Sequence, residues 1–332
     1  MTNPAACILG CEGLQLTTAE KQFFKAADPW GFILFARNLS SSDQIRALTC
    51  EIRNTMGRNV PILIDQEGGR VQRLRAPEWA EWLPPLLQIK NSPDSGLIEL
   101  RYRIIAAELY ALGIDVNCAP MLDIANADSH EIIKNRCFGH DAKTVTKMGR
   151  AAANGLLKGG VLPIIKHIPG HGRATMDSHF NLPQLETPLS TLQTSDFIPF
   201  RQLADLPMAM TAHITYTDID PENCATQSAK VIKTIRTDMA FDGLIMTDDL
   251  SMKALKGSFK DRCKASFNAK CDVVLHCNGV MAEMMQVAKA TPALSGKALA
   301  RANAALQMRQ APDAFDIDAA KDKFAQTMQR VA

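Results

Sequence analysis

Short apolar segments alternate along the chain with longer segments in which apolar residues recur at helical spacing. The short segments are continuous apolar runs, a pattern typical of parallel strands that are covered on both faces. The predicted strands are Cys7–Gly10, Gly31–Phe35, Pro61–Asp65, Asp115–Ala119, Leu162–His167, Met208–Ile214, Gly243–Thr247 and Asp272–His276. The predicted helices are Thr18–Ala27, Ser41–Met56, Gly96–Leu112, Asp141–Lys158, Ser228–Ala240, Asp261–Lys270 and Met281–Lys289. Ser41, Asp141 and Ser228 are suitable N-cap residues.

This alternation predicts an α/β fold, a single (β/α)8 TIM-type barrel. A doubly wound open sheet is the alternative, but no predicted strand leads into the Gly-x-Gly-x-x-Gly turn that such folds often carry. No break in composition and no low-complexity linker divides the chain. We therefore expect one domain over residues 1–332, with a helical tail from about residue 292 that ends in a polar segment.

Composition narrows the possible partners and the cellular compartment. The chain has 37 Lys and Arg residues against 35 Asp and Glu residues. This balance indicates neither nucleic acid nor an anionic membrane surface as a partner. No apolar run reaches the roughly 20 residues of a membrane span, and the segment Met1–Glu20 lacks the basic start of a signal peptide. We expect a cytoplasmic protein whose nine cysteines are mostly buried, reduced thiols.

Polar and ionisable residues follow most of the predicted strands at their C-terminal ends. In a barrel these ends meet at one face, where active sites lie. The convergence therefore predicts an active site at that face. The segments concerned are Asp65–Arg73, Pro120–Asp123, Lys166–Gly172, His213, Thr247–Leu250 and His276–Asn278.

Asp248 and Asp249 are two consecutive carboxylates at the end of a predicted strand. Because successive side chains of a strand point to opposite faces, we expect only one of them to point into the barrel mouth. The periodicity does not indicate which one. A helix N-cap combined with a salt bridge is the structural alternative.

The segment between Lys166 and His179 contains three of the seven histidines. His167 and His171 have the spacing of a helical zinc site, but the Pro and Gly between them prevent that helix, so no metal is expected. A loop that places Asp177 beside His179 fits better, because a carboxylate orients an imidazole and favours its protonated form. A surface turn with a helix cap is the alternative.

An Asp accompanied by Arg residues, as in Asp65–Arg73, can bind sugar hydroxyls, a carboxylate or an amide. The segment could instead be a turn in which Glu67 and Arg70 pair on the surface. Arg136 has the same two interpretations.

Five segments, in order between about residues 5 and 290, together resemble glycoside hydrolase family 3. They are Gly31–Phe35, Ile64–Arg73, Lys166–Gly172, Asp177–His179 and Met246–Met252. The resemblance implies a retaining hydrolase that removes terminal β-linked N-acetylglucosamine and needs no cofactor. The chain departs from the family pattern at two places: Ile168 replaces a common aromatic residue, and Lys253-Ala254 replaces an acidic residue and Gly.

The resemblance also implies roles for individual residues. Asp248 matches the family's nucleophile, and His179, supported by Asp177, matches its general acid/base. The positions that match sugar-binding residues are Asp65, Arg73, Arg136, Lys166 and His167. Family members in Gram-negative bacteria act in the cytoplasm in peptidoglycan recycling. The implied substrate is a small molecule, a 1,6-anhydro-muropeptide or a chitooligosaccharide, and we expect a monomer.

Other functions remain open at the level of the sequence. Within the family they are phosphorolysis of a β-N-acetylglucosaminide, since a His acid/base leaves less negative charge in the site than a Glu, and β-glucosidase activity. A non-catalytic muropeptide-binding protein and an aldolase with Lys166 as its Schiff-base lysine are the remaining alternatives.

Overall fold

Eight parallel strands pair in chain order, and the last strand pairs with the first, so that the sheet closes into a barrel. The closing register aligns Cys7 with Val274 and Leu9 with His276. The computed structural model describes residues 3–176 and 181–329. Its barrel strands are Ala5–Gly10, Pro29–Leu34, Ile62–Ile64, Val116–Asn117, Leu162–Ile168, Met208–Thr211, Leu244–Asp249 and Val273–His276. Each coincides with a predicted strand, so the predicted barrel is confirmed and the open sheet is excluded.

Helices surround the barrel, and all seven predicted ones are present within a few residues of their predicted ends. The three predicted N-caps are also confirmed: the side chains of Ser41, Asp141 and Ser228 accept hydrogen bonds from backbone N–H groups of the first helical turn. The helices are α1 (Thr18–Ala27), α2 (Ser42–Met56), α3 (Pro85–Asn91), α4 (Ser95–Ala111), α5 (Glu131–Lys134), α6 (Ala142–Lys158), α7 (Leu189–Thr194), α8 (Ile198–Gln202), α9 (Ala229–Thr237), α10 (Phe259–Asn268), α11 (Met281–Ala290), α12 (Gly296–Gln307) and α13 (Ile317–Gln329).

Sequence periodicity missed the short helices α3, α5, α7 and α8. Each has seven residues or fewer, which is too short for an apolar stripe of helical period to become visible. The segment after residue 292 also differs from the expectation, because it contains a second helix, α13, where a polar end was predicted.

Two small sheets extend the C-terminal face of the barrel. The first is a hairpin in which Gln66–Gly68 pairs antiparallel with Val71–Gln72. Gly68 at the end of the first strand and Gly69 in the turn have φ angles of +112° and +58°, in the region that favours glycine. The second sheet pairs Gln184–Leu185 with Thr215–Tyr216.

Apolar side chains fill the barrel interior, among them Ile8, Leu63 and Met208, all fully buried. Ala302 and Ala305 of α12 belong to the same cluster. The backbone N–H of Leu294 donates to the carbonyl of Pro4, so this helix packs at the N-terminal end of the strands. The nine cysteines are free, and only Cys50 is exposed. Within the described ranges no helix is long and apolar enough to cross a bilayer.

Candidate active site

A cavity of about 300 Å³ lies at the C-terminal ends of the barrel strands. It contains six of the eight site residues singled out from the sequence, contributed by four different strands or the loops that follow them. These residues are Asp65, Arg73, Arg136, Lys166, His167 and Asp248. The remaining two, Asp177 and His179, lie outside the described residues. The convergence predicted from the strand ends therefore exists for the part of the site that the structure describes.

Neighbouring residues of one strand reach the same cavity at two places. Lys166 and His167 both line it, and so do Asp248 and Asp249. The expectation that only one of the two aspartates faces the barrel mouth is therefore wrong. The physical reason is an irregular register in both strands, which shifts between Lys166 and Ile168 and again before Asp249. Such bulges interrupt the alternation of side chains.

Asp65 joins two of the cations in the cavity wall. Its Oδ1 atom lies 2.8 Å from Nζ of Lys166, and its Oδ2 atom lies 2.9 Å from Nη2 of Arg73. Burial raises the pKa of the Asp65 carboxyl, but the charges of Lys166 and Arg73 outweigh this effect and hold the pKa well below its usual range. The guanidinium of Arg73 also stacks over the ring of Phe35 at 4.9 Å. Asp65, Lys166 and Arg73 therefore form a group of mutually ion-paired side chains in the cavity wall.

Glu67 lies behind this ion-paired group and was not predicted as part of the site. Its carboxylate accepts two hydrogen bonds from Arg136, at 2.8 and 2.9 Å, and its Oε1 atom lies 2.6 Å from Nζ of Lys166. Glu67 is buried, so the alternative in which it pairs with Arg70 on the surface is wrong. Burial raises the pKa of the Glu67 carboxyl, but Arg136 and Lys166 outweigh it and lower the pKa to about 2.

Asp123 is a second functional residue that the sequence did not single out. Its carboxylate accepts a 2.7 Å hydrogen bond from Nδ1 of His167 and further hydrogen bonds from the backbone N–H groups of His167 and His171. The contact with Nδ1 fixes the orientation of the His167 ring and leaves Nε2 for other contacts. The available signal was its position just after the fourth strand, among the segments that converge on the site.

Asp248 and Asp249 differ in how their oxygens are occupied. Both carboxylate oxygens of Asp249 accept hydrogen bonds, from the backbone N–H groups of Ser251 and Cys277 and from the Ser251 hydroxyl. Asp248 accepts one, at Oδ1 from the backbone N–H of Asp249. Its Oδ2 atom accepts none from the described part of the chain. This oxygen is therefore available to a ligand in the cavity.

The charge of Asp248 is influenced by two histidines of the site. Burial raises the pKa of its carboxyl, but His213 and His167 and the hydrogen bond from Asp249 together hold the pKa below its ordinary value. Burial lowers the pKa of His213, whose ring lies between the hydroxyl of Thr226 at 2.7 Å and the carbonyl of Asp249 at 3.1 Å. Asp248 is thus a carboxylate at neutral pH. No group of three or more His, Cys, Asp or Glu side chains in the described ranges is arranged to hold a metal ion.

The buried charges predict a pH-dependent effect of the Glu67→Gln substitution on stability. Removing one partner of a buried ion pair typically costs about 3–5 kcal/mol, because the other charges stay buried. The lowered pKa of Glu67 means that its stabilisation is fully present above its ordinary pKa of about 4.3 and is lost as the pH falls towards about 2. We therefore expect the variant to unfold at lower denaturant concentration than wild type at pH 7. The difference should shrink between pH 4.5 and pH 2, and a pH-independent difference would contradict the assigned ion pair.

Comparison with known proteins agrees with this geometry. The sequence model of the glycosyl hydrolase family 3 N terminal domain matches residues 12–307. A relative from Nitrosospira multiformis named beta-hexosaminidase is 32% identical, over 98% of this chain and 95% of its own length. One from Chromobacterium violaceum with the same name is 36% identical over 80% of this chain and 76% of its own.

Two solved structures extend the comparison. NagZ from Neisseria gonorrhoeae in complex with N-trifluoroacetyl-D-glucosamine is 29% identical, with a TM-score of 0.85 over 99% of this chain and 98% of that one. A family 3 beta-N-acetylglucosaminidase from Paenibacillus sp. is 27% identical, with a TM-score of 0.86 over 98% of this chain and 66% of that longer one. The chain therefore belongs to glycosyl hydrolase family 3 and is a glycosidase with a small-molecule sugar substrate.

Proposed function

We propose that this chain is a retaining exo-β-N-acetylglucosaminidase that removes terminal β-linked N-acetylglucosamine. The observation that carries the proposal is the Asp248 carboxylate, which is held ionised at the cavity wall with one oxygen available to a ligand. A nucleophile of a retaining glycosidase needs this state. The names of the relatives support the choice of sugar.

In the proposed mechanism, Oδ2 of Asp248 attacks the anomeric carbon while the general acid protonates the departing glycosidic oxygen. This step forms a covalent glycosyl-enzyme, which water then hydrolyses with the same acid/base group taking up a proton. Asp249 is the weaker candidate for nucleophile, because both of its carboxylate oxygens are occupied by Ser251 and Cys277.

We assign the acid/base role to His179 with Asp177 as its partner. The described start of their loop supports this assignment. The hydroxyl of Tyr216 donates to the carbonyl of Gly170, and the backbone N–H of His171 donates to Asp123. Since His171 lines the cavity, the loop leaves the barrel at the cavity wall.

The ion pairs of the cavity wall form the proposed sugar subsite. Their charged donors and acceptors can pair with the hydroxyl and acetamido groups of one sugar residue. The proposed set is Asp65, Arg73, Arg136, Lys166 and His167. Lys166 is a poor Schiff-base lysine, because the charges of Asp65 and Glu67 outweigh burial and raise its pKa.

The deciding experiment compares aryl β-N-acetylglucosaminide with aryl β-glucoside, each with and without phosphate. We expect turnover of the first substrate without phosphate. Phosphate-dependent turnover would indicate a phosphorylase, preference for the glucoside would indicate a β-glucosidase, and absence of any turnover would indicate a non-catalytic binding protein.

Selectivity for the acetamido sugar should reach at least roughly 100-fold in kcat/KM. A site that pairs polar groups with an amide leaves those groups unpaired when the amide is missing, which costs several kcal/mol. Initial rates over a range of concentrations of the two aryl glycosides measure this ratio. Comparable efficiency on both would contradict the proposed sugar subsite.

For the natural substrate we propose a 1,6-anhydro-muropeptide released during peptidoglycan recycling in the cytoplasm. We further propose that the protein acts as a monomer and that residues 1–332 form one hydrolase domain. A purified N-acetylglucosaminyl-1,6-anhydro-muropeptide compared with a chitooligosaccharide tests the substrate. Cell fractionation tests the compartment, and sedimentation tests the oligomeric state.

A further inference from the structure

Arg101 of α4 is a fully buried cation beneath the hairpin that carries Glu67. Its Nη2 atom donates a hydrogen bond to the backbone carbonyl of Glu67, and its Nη1 atom donates to the side-chain carbonyl of Gln88. The hydroxyl of Tyr102 donates to the same Glu67 carbonyl at 3.4 Å. The hairpin is therefore tied to α4 at the residue whose side chain holds Arg136 and Lys166.

The guanidinium of Arg101 also fits closely against the hairpin backbone. A Cβ atom on Gly68 would lie 1.8 Å from Nη2 of Arg101, so glycine is needed for this approach. On its other side the guanidinium packs over the ring of Trp82, at 5.4 Å. That ring contacts Phe324 of α13 edge-on, with 5.0 Å between the centroids.

No carboxylate within residues 3–176 and 181–329 forms an ion pair with Arg101. Burial lowers the pKa of its guanidinium, which is the signature of a charge held away from water at a cost. Its polar contacts instead go to a backbone carbonyl and an amide. These hydrogen bonds hold the hairpin in position, and the charge of Arg101 is not neutralised by an ion pair with a described carboxylate.

We propose that Arg101 is a positioning residue for the sugar subsite. It fixes the Glu67 backbone, the Glu67 carboxylate in turn holds Arg136 and Lys166, and these two cations line the cavity. The expected kinetic consequence rests on the proposed function, whereas the positional claim does not.

The kinetic test uses Arg101→Met, which keeps an unbranched apolar stem and removes both hydrogen bonds. We expect KM for the aryl β-N-acetylglucosaminide to rise about tenfold while kcat changes less than about threefold, because the displaced cations bind the sugar in the ground state and the transition state alike. Arg101→Lys keeps the charge without the fork that reaches both Gln88 and Glu67, so its KM should be intermediate.

The matched control is Arg103→Met. Arg103 is a buried arginine of the same helix that contacts Asp313 and Phe315 near the C-terminus and does not touch the hairpin. We expect this variant to have the KM of the wild type. An equal rise in KM for both variants would mean that any loss of packing around α4 disturbs the site, and it would overturn the proposal.

A second measurement does not depend on activity. Lys166 is almost fully buried and ion-paired, so acylation by an amine-reactive ester followed by mass spectrometry should label it slowly in wild type and in Arg103→Met. Release of Glu67 in Arg101→Met should increase this labelling severalfold. If wild type hydrolyses no aryl glycoside, the proposed function fails, and the labelling alone decides the role of Arg101.

Unchanged Lys166 labelling together with an unchanged KM in folded Arg101→Met would overturn the proposal. If Arg101→Met does not fold, Arg101→Lys decides by the same two measurements. A lysine variant that matches wild type in both would then count against the proposal, and one that exceeds Arg103→Met in both would support it.

Discussion

Substitution of Asp248 by alanine should reduce kcat for an aryl β-N-acetylglucosaminide by at least roughly 10⁴-fold, since the covalent intermediate of the proposed mechanism cannot form without its carboxylate. Folding should be retained, because Asp248 accepts a single hydrogen bond, from the adjacent backbone. Steady-state kinetics measures the loss of activity, and circular dichroism measures whether the variant is folded. Asp249→Asn is the control and should lose less activity. Asp249 accepts hydrogen bonds from Ser251 and Cys277 and is not the proposed nucleophile, so its loss should disturb only the position of the loop.

Covalent trapping makes this prediction specific to one residue. A fluorinated slow substrate should label a single peptide, and fragmentation should place the label on Asp248. A label on Asp249, or the absence of a covalent species in rapid-quench experiments, would reject the assignment.

His179→Ala should depress cleavage of a disaccharide or muropeptide far more than cleavage of a dinitrophenyl glycoside. A sugar leaves poorly without a proton from the general acid, whereas an activated phenol leaves as a stable anion. With the activated substrate the glycosyl-enzyme should accumulate, because the proposed mechanism needs the same residue to activate water. The measurement is the dependence of rate on leaving-group pKa in wild type and variant. Asp177→Asn should change it in the same direction by a smaller amount.

His167 is the matched control for this experiment. It lines the cavity and forms its own histidine–aspartate pair with Asp123 at 2.7 Å. Equal leaving-group slopes in wild type and His179→Ala would exclude His179 as the acid, and a steeper slope in His167→Ala would transfer the role to His167. Glu67 is a poor substitute, because it is buried and ion-paired with Arg136 and Lys166.

The barrel was predictable because parallel strands buried on both faces must be apolar throughout, which leaves eight recognisable runs in the sequence. The strand ends then located the site, since barrel topology alone brings them together. The partners within the site were not predictable. Glu67 and Arg136 are 69 residues apart, and no local pattern indicates that they form a buried pair.

The orientation of Asp248 and Asp249 was also not predictable from the sequence. It depends on a shift of register between Met246 and Asp249, where strict alternation of side chains fails. The short helices α7 and α8 were missed because two turns of helix leave no periodic signature. The family resemblance already matched Asp248 to the nucleophile, whereas the contacts of Asp249 with Ser251 and Cys277, which support the same choice, appear only in the folded chain.

Asp123 has a consequence for inhibitor design. One carboxylate holds the His167 ring in the proposed sugar subsite and also the backbone of His171, which precedes His179 in the chain. A compound that presses on the His167 ring therefore acts on the same anchor as the loop. We therefore expect potency gained in the proposed sugar subsite and tolerance of bulky groups near the loop to be coupled, so that both are best optimised together.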